Sequence, residues 1–208
     1  MLSTAGTRRG QVKEHFKMVR DLKIVSFKSA HEWEKWLAKN HAASQGVWLK
    51  IFKKDSQTLS VSYREALEGA LCYGWIDGQK AALDDKAWLQ KFCPRQSKSA
   101  WSKINVGHAE RLIKAGRMKP AGLQKIESAK KDGRWSKAYH PQSSAKLPED
   151  FLREVNKNTK AKTFLDSLNR PNVYAIIYRL QTAKKPETRL KRINQFVEML
   201  SKGEKLHP

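Results

Sequence analysis

Cysteine is nearly absent from this chain. Only Cys72 and Cys93 occur in 208 residues, and they form no CxxC pair. That excludes a disulfide scaffold and a cysteine-rich zinc site, and a reducing compartment is the simplest setting. The six histidines, His15, His31, His41, His108, His140 and His207, show neither HExxH nor any other zinc spacing. No metal and no cofactor are therefore expected. GxGxxG and GxxxxGK[ST] are missing, which excludes the common dinucleotide and phosphate loops. Long apolar runs are missing too. The best, residues 70–76, contains Tyr73 and Gly74 and falls far short of the roughly 18 residues that span a bilayer. The start, MLSTAGTRRGQVKEHFKMVRD, is broken by charge every few positions. It lacks the apolar centre of an export signal, so a cytoplasmic protein without a transmembrane segment is expected.

Carboxylates are scarce as well. Forty-two Lys and Arg stand against 20 Asp and Glu, a formal charge of +22. An apolar fraction of 39% with seven Trp separates the chain from disordered polybasic tails. The excess runs through both halves and is densest over residues 91–137. There, 13 Lys and Arg meet three acids, Glu110, Glu127 and Asp132, with Trp101 and Trp135 between them. Cations interleaved with aromatics suit a phosphate backbone and stackable bases. Arg111, Lys114, Arg117 and Lys119 fall beside the apolar stripe of one helix and, with Trp135, are the candidate anion-binding residues. The expected partner is nucleic acid or another polyanion. No RNP1, KH or zinc-finger pattern points to sequence-specific reading.

Local patterns divide the chain into a basic lead-in (1–22), an α+β part (23–139) and an all-helical part (148–208). HPQSSAKLP (140–148) is the linker candidate. Trp33, Trp36 and Leu37 stripe a short helix over 31–41. Residues 47–52 are rich in strand formers. Ser62 and Glu65 fit a capping box that opens a helix closed near Gly74. Residues 76–83 and 87–92 flank Asp84-Asp85-Lys86 as a hairpin, with Trp88, Gln90 and Phe92 on one face and Leu89 on the other. Val106, Ala109, Leu112 and Ile113 mark a helix, and Pro120 starts another. Four further apolar stripes fill the C-terminal part. The class is α+β: a small antiparallel sheet with helices, followed by helices alone.

Two further constellations carry candidate chemistry. If the hairpin and its exit pack together, Asp77, Lys80, Arg95, Trp101 and Lys103 would line one pocket, with Asp77 as base or ligand holder. In QTAKKPETR (181–189), Pro186 breaks two helices, and Lys184, Thr188 and Arg189 would gather at a helix start that attracts anions. The plainer reading there is a structural corner with Arg189 paired to Glu187. Cys72 reads as a buried small hydrophobe. Cys93, beside Lys91 and Arg95, has a cationic setting that would lower a thiol pKa.

The long stretches YREALEGALCYGWIDGQK (63–80) and LDDKAWLQKFCPRQSKSAWSKINVGHAERLIKAGRMKPAGL (83–123) resemble the bacterial bacteriocin-protection, YdeI or OmpD-associated family. YRLQTAKKPETRLKRINQFVEMLSKGEK (178–205) resembles its C-terminal helical module. The likeness extends over about residues 24–205. It implies a role in resistance to bacteriocins and antimicrobial peptides, with a porin as associate and a periplasmic place, and it carries no catalytic residues over. The expectation is a protective binding protein that contacts polyanions. The alternative is a small-ligand enzyme around Asp77, Lys80, Arg95 and Trp101.

Overall fold

The structure, a computed structural model, describes residues 22–207. The lead-in expected over residues 1–22 lies outside them, apart from Leu22. The described chain forms two compact units: residues 22–99 with 108–132, and residues 100–107 with 133–207.

The first unit holds β1 (Ile24–Val25), α1 (Ala30–Asn40), β2 (Val47–Phe52), a 3-10 turn (Lys54–Ser56), α2 (Tyr63–Cys72), β3 (Trp75–Ala82) and β4 (Ala87–Pro94). It also takes the C-terminal part of α3 (Lys103–Lys114) and all of α4 (Pro120–Lys131). The sheet order is β1-β2-β4-β3. It is antiparallel except for the two-residue edge β1, which runs parallel to β2. Ser62 and Glu65 close a capping box at the start of α2, satisfying donors that the first turn leaves open.

Register assigns the two sheet faces. Phe92, Gln90 and Trp88 stand opposite Val47, Leu49 and Ile51, and Leu89 stands opposite Lys50 on the reverse face. The helix-side face is an aromatic core. Trp33 of α1 is fully buried and meets Trp36, Trp75 and Phe92, and its indole N–H donates to the Ala66 carbonyl at 3.0 Å. Burial of this size dominates the unit's stability, at about 1.5–3 kcal/mol for each large side chain. The reverse face carries a smaller cluster of Trp48, Ala81 and Leu89 with Leu22. Between Asp77 and Lys80 the β3–β4 register shifts, and buried Gln90 donates its amide to the carbonyls of Gly78 (2.9 Å) and Gln79 (3.2 Å). An interior amide thus satisfies the backbone groups a bulge leaves unpaired.

The second unit is helical: α5 (Glu149–Asn156), α6 (Thr159–Ser167), α7 (Arg170–Gln181) and α8 (Pro186–Ser201), with the first turns of α3. Asn158 and Asn169 cap α6 and α7. Phe151, Val155, Leu165, Ile176, Leu180, Phe196 and Leu200 form its core. Residues 140–148 are not a free linker. Ala145 is buried, and the Arg170 guanidinium donates to the carbonyls of Gln142 and Ala145, which fixes the turn.

Candidate functional site

The densest run of lysines and arginines in the first unit follows the end of α3, the turn over residues 115–119, and α4. Ala109, Leu112, Ile126 and Ala129 face inward, which leaves the charged positions outside. The guanidinium and ammonium groups part company there. The Glu68 side chain, on α2, is only 14% exposed and takes Arg111 at 3.1 Å, Arg64 at 3.3 Å and Arg117 at 3.3 Å. Arg117 also reaches Glu34 on α1 at 2.8 Å. Desolvation is the largest single influence on its pKa and lowers it, but the Glu34 hydrogen bond and the nearby negative charges together raise it. Arg111 also donates to His108 Nδ1 at 2.6 Å. That contact fits a neutral ring protonated on Nε2, so the 3.5 Å approach of Nδ1 to Glu68 is not an ion pair. Arg111 and Arg117 therefore bind carboxylates of this chain and tie α1, α2 and α3 together. Lys114, Lys119 and Lys131 are exposed and enter no ion pair among the described residues. Sequence reading missed Glu34 and Glu68 as the partners of these arginines. The only local sign was the i,i+4 spacing of Arg64 and Glu68.

Of the tryptophans in the basic stretch, Trp101 is buried in the second unit and Trp135 is half-buried there. Trp101 is 2% exposed and meets Trp135 edge-on at 4.8 Å. Trp101 and Tyr139 are joined through the backbone, and Tyr139 accepts from the Lys103 N–H. A buried indole offers no face on which a base can stack, so Trp101 is a packing residue.

The five residues grouped around Asp77 fall in both units. Asp77, Lys80 and Arg95 lie in the first, Trp101 and Lys103 in the second. The Tyr63 hydroxyl donates to Asp77 Oδ2 at 2.7 Å, and the Lys80 ammonium rests 4.2 Å above the Trp88 ring. Arg95 is buried, and its backbone N–H donates to the Gly74 carbonyl. Cys93 corrects an expectation: burial, the largest influence, raises its pKa above the ordinary thiol value despite Lys91 and Arg95. Cys72 is buried, as expected, and desolvation pushes it up to about 11.

At the 181–189 corner, Arg189 pairs with Asp150, not Glu187. Its Nε donates to Asp150 Oδ2 at 2.6 Å and its Nη2 to Oδ1 at 2.8 Å, while Nη1 reaches the Leu180 carbonyl at 2.8 Å. This fork fastens the start of α5 to the α7–α8 corner. Lys184 and Thr188 remain exposed beside it.

Residues 144–203, which contain α5–α8, match the family described as Bacteriocin-protection, YdeI or OmpD-Associated. That segment is similar to the YdeI/OmpD-associated family. Residues 25–125 match a different family, a domain of unknown function, DUF8412. The likeness read over residues 63–123 therefore falls to that second family, and the YdeI/OmpD-associated match covers part of the chain only. No curated protein and no solved structure matches the chain. The Asp150–Arg189 fork and the exposed Lys184 lie within the segment that matches the first family, whereas Glu68 and most of the lysine-rich run lie within the segment that matches the second. Among the described residues no helix is long and apolar enough to cross a membrane, and no group of three or more His, Cys, Asp or Glu could hold a metal ion.

Proposed function

We propose that this protein binds polyanions, with nucleic acid as the ligand, through the lysines at the end of α3 and along α4. The observation that carries the reading is the division of labour around Glu68. Carboxylates of the chain itself hold the arginines, and Lys114, Lys119 and Lys131 are left exposed without an acidic partner among the described residues. Lys119 adds to it. It stands at the N-cap of α4 and makes no capping hydrogen bond. The helix dipole disfavours a cation there, and such local conflicts mark functional positions. A phosphate would satisfy the ammonium and relieve that conflict. Because the contact is electrostatic and made by lysine side chains, binding is expected to ignore base sequence.

The test is fluorescence anisotropy with a labelled single strand and a duplex, each about 20 nucleotides long, across a salt series. Affinity is expected to fall linearly in log–log form. The triple variant Lys114→Glu, Lys119→Glu, Lys131→Glu is expected to flatten the slope by about three, since each phosphate-contacting lysine contributes about one. No binding at low salt, or a variant that binds like the parent, overturns the reading. The protection named in the family description is proposed to act through the same contact. Bacteria that express the triple variant should then survive bacteriocin challenge less well than those with the parent, and equal survival removes that part.

A further inference from the structure

The second unit contains a cleft of about 380 Å³ that no sequence pattern announced. One wall is α7, which supplies Pro171, Tyr174, Ala175, Tyr178 and Arg179; Gln142 and His207 complete it. The volume lies within the range of small-molecule sites.

Its parts are held from behind. The Tyr174 hydroxyl donates to the His140 carbonyl at 3.2 Å, which sets one ring. Tyr139 meets Tyr178 edge-on at 5.0 Å and 89°, which sets the other. The two cleft rings lie 6.3 Å apart. Gln142 is fixed because its carbonyl accepts from Arg170. His207 is fixed because Asn172 grips its backbone: the His207 N–H donates to Asn172 Oδ1 at 2.9 Å, and Asn172 Nδ2 donates to the His207 carbonyl at 3.4 Å. Asn172 is 1% exposed, so a buried amide holds His207 against α7.

Charge completes the picture. Arg179 donates from Nη1 to the Ala175 carbonyl at 3.3 Å, and no carboxylate pairs with it among the described residues. Among the described residues no Asp or Glu lines the cleft. Two supported aromatic rings, a small-residue floor at Ala175, and an arginine with an imidazole at the rim favour a flat apolar ring that carries negative charge.

We propose that this cleft binds a small planar aromatic anion, its ring against Tyr174 and Tyr178 and its anionic group on Arg179 and His207. The shared chemistry, a ring bearing a carboxylate or a phosphate, could come from an aromatic acid or from a mononucleotide. The site is independent of the lysines proposed above, so either proposal can fail without the other.

The experiment is a titration of the full chain followed by amide NMR. The probes are benzoate, indole-3-carboxylate and adenosine monophosphate, with benzyl alcohol and inorganic phosphate as controls. Saturable shifts at residues 172–179 and 207 with at least one anionic ring, and weaker binding of both controls, are expected. The tighter of the carboxylates and the nucleotide identifies the source. Arg179→Gln is expected to weaken binding about tenfold, in line with the loss of one charge-assisted hydrogen bond. Tyr178→Leu, at a ring 37% exposed and therefore tolerant of change, is expected to weaken it independently. No saturable shift, equal binding of either control, or unchanged affinity in both variants overturns the proposal.

Discussion

One carboxylate, Asp150, shows how a single residue can hold a unit together. Arg189 grips it with two hydrogen bonds, and that contact pulls its pKa below the ordinary carboxylate value, against an opposing desolvation. A depressed carboxylate lends stability above its unfolded pKa and loses it as pH falls through the folded one. Both side chains are about a third exposed, so solvent screens the pair and its worth is about 1 kcal/mol. Asp150→Asn should therefore lower the urea stability of the helical unit by about 1 kcal/mol at pH 7. The difference should shrink as pH falls through the parent's depressed folded pKa, where its carboxyl becomes protonated too. Urea melts followed by NMR of the helical core at pH 7 and along an acid series check this. Asp150 and Arg189 are 39 positions apart, so sequence spacing offered only the neighbouring Glu187 as partner. The thiols make a second residue-scale case. Proximity to Lys91 and Arg95 suggested a reactive Cys93, yet burial outweighs those charges. With Cys72 near 11 and Cys93 raised, both should alkylate more slowly in native protein at pH 7.5 than in the denatured chain, which intact-mass spectrometry follows.

Elements were the most legible scale, because their code is local. The capping box at Ser62, the proline at the start of α4 and the alternation along β4 each depend on residues within a few positions, and each is realised. The hairpin turn shows why. Asp84 accepts from the N–H groups of Lys86 (2.8 Å) and Ala87 (2.7 Å), a closure that needs no distant partner. What spacing could not reveal was which helix crosses which. The α4 start lies on the α2 end so closely that a Cβ on Gly122 would sit 2.4 Å from the Cys72 carbonyl and 2.8 Å from that of Leu71. Gly74 meets α4 in the same way, with φ at +73° and a hypothetical Cβ 2.8 Å from the Ala121 carbonyl. Gly122→Ala favours α4 as an isolated helix yet should destabilise the first unit by about 1–3 kcal/mol, because the obstacle is backbone and cannot rotate away. A lower urea midpoint for the amides of α2 and α4 is the expected reading. An unchanged midpoint would show that the two helices separate freely. Trp101 illustrates the same limit for the candidate site. Its position among lysines suggested stacking, and only tertiary packing turned the ring inward.

At the scale of the whole molecule, two electrostatic effects oppose each other. A formal charge of +22 makes the folded state repel itself, and salt relieves that cost. The Glu68 cluster works in the other direction, since salt weakens its contacts with Arg64, Arg111 and Arg117. Exposed pairs are worth about 0–1 kcal/mol each, and even this partly buried hub is a single feature, whereas the excess charge is spread along the chain. Stability should therefore rise as sodium chloride goes from about 10 mM to about 200 mM, a range over which the Debye length shrinks from about 30 Å to below 10 Å. Glu68→Gln separates the two effects. It leaves three guanidinium groups around a neutral amide, and so it should cost the first unit about 2 kcal/mol at low salt, with a smaller deficit at high salt. The same substitution frees Arg111 for phosphate, while Arg117 keeps its pairing with Glu34. If the exposed lysines form the ligand surface, Glu68→Gln should bind nucleic acid more tightly than the parent while being less stable. Binding that weakens in step with stability would place the hub, not the lysines, at the centre of recognition.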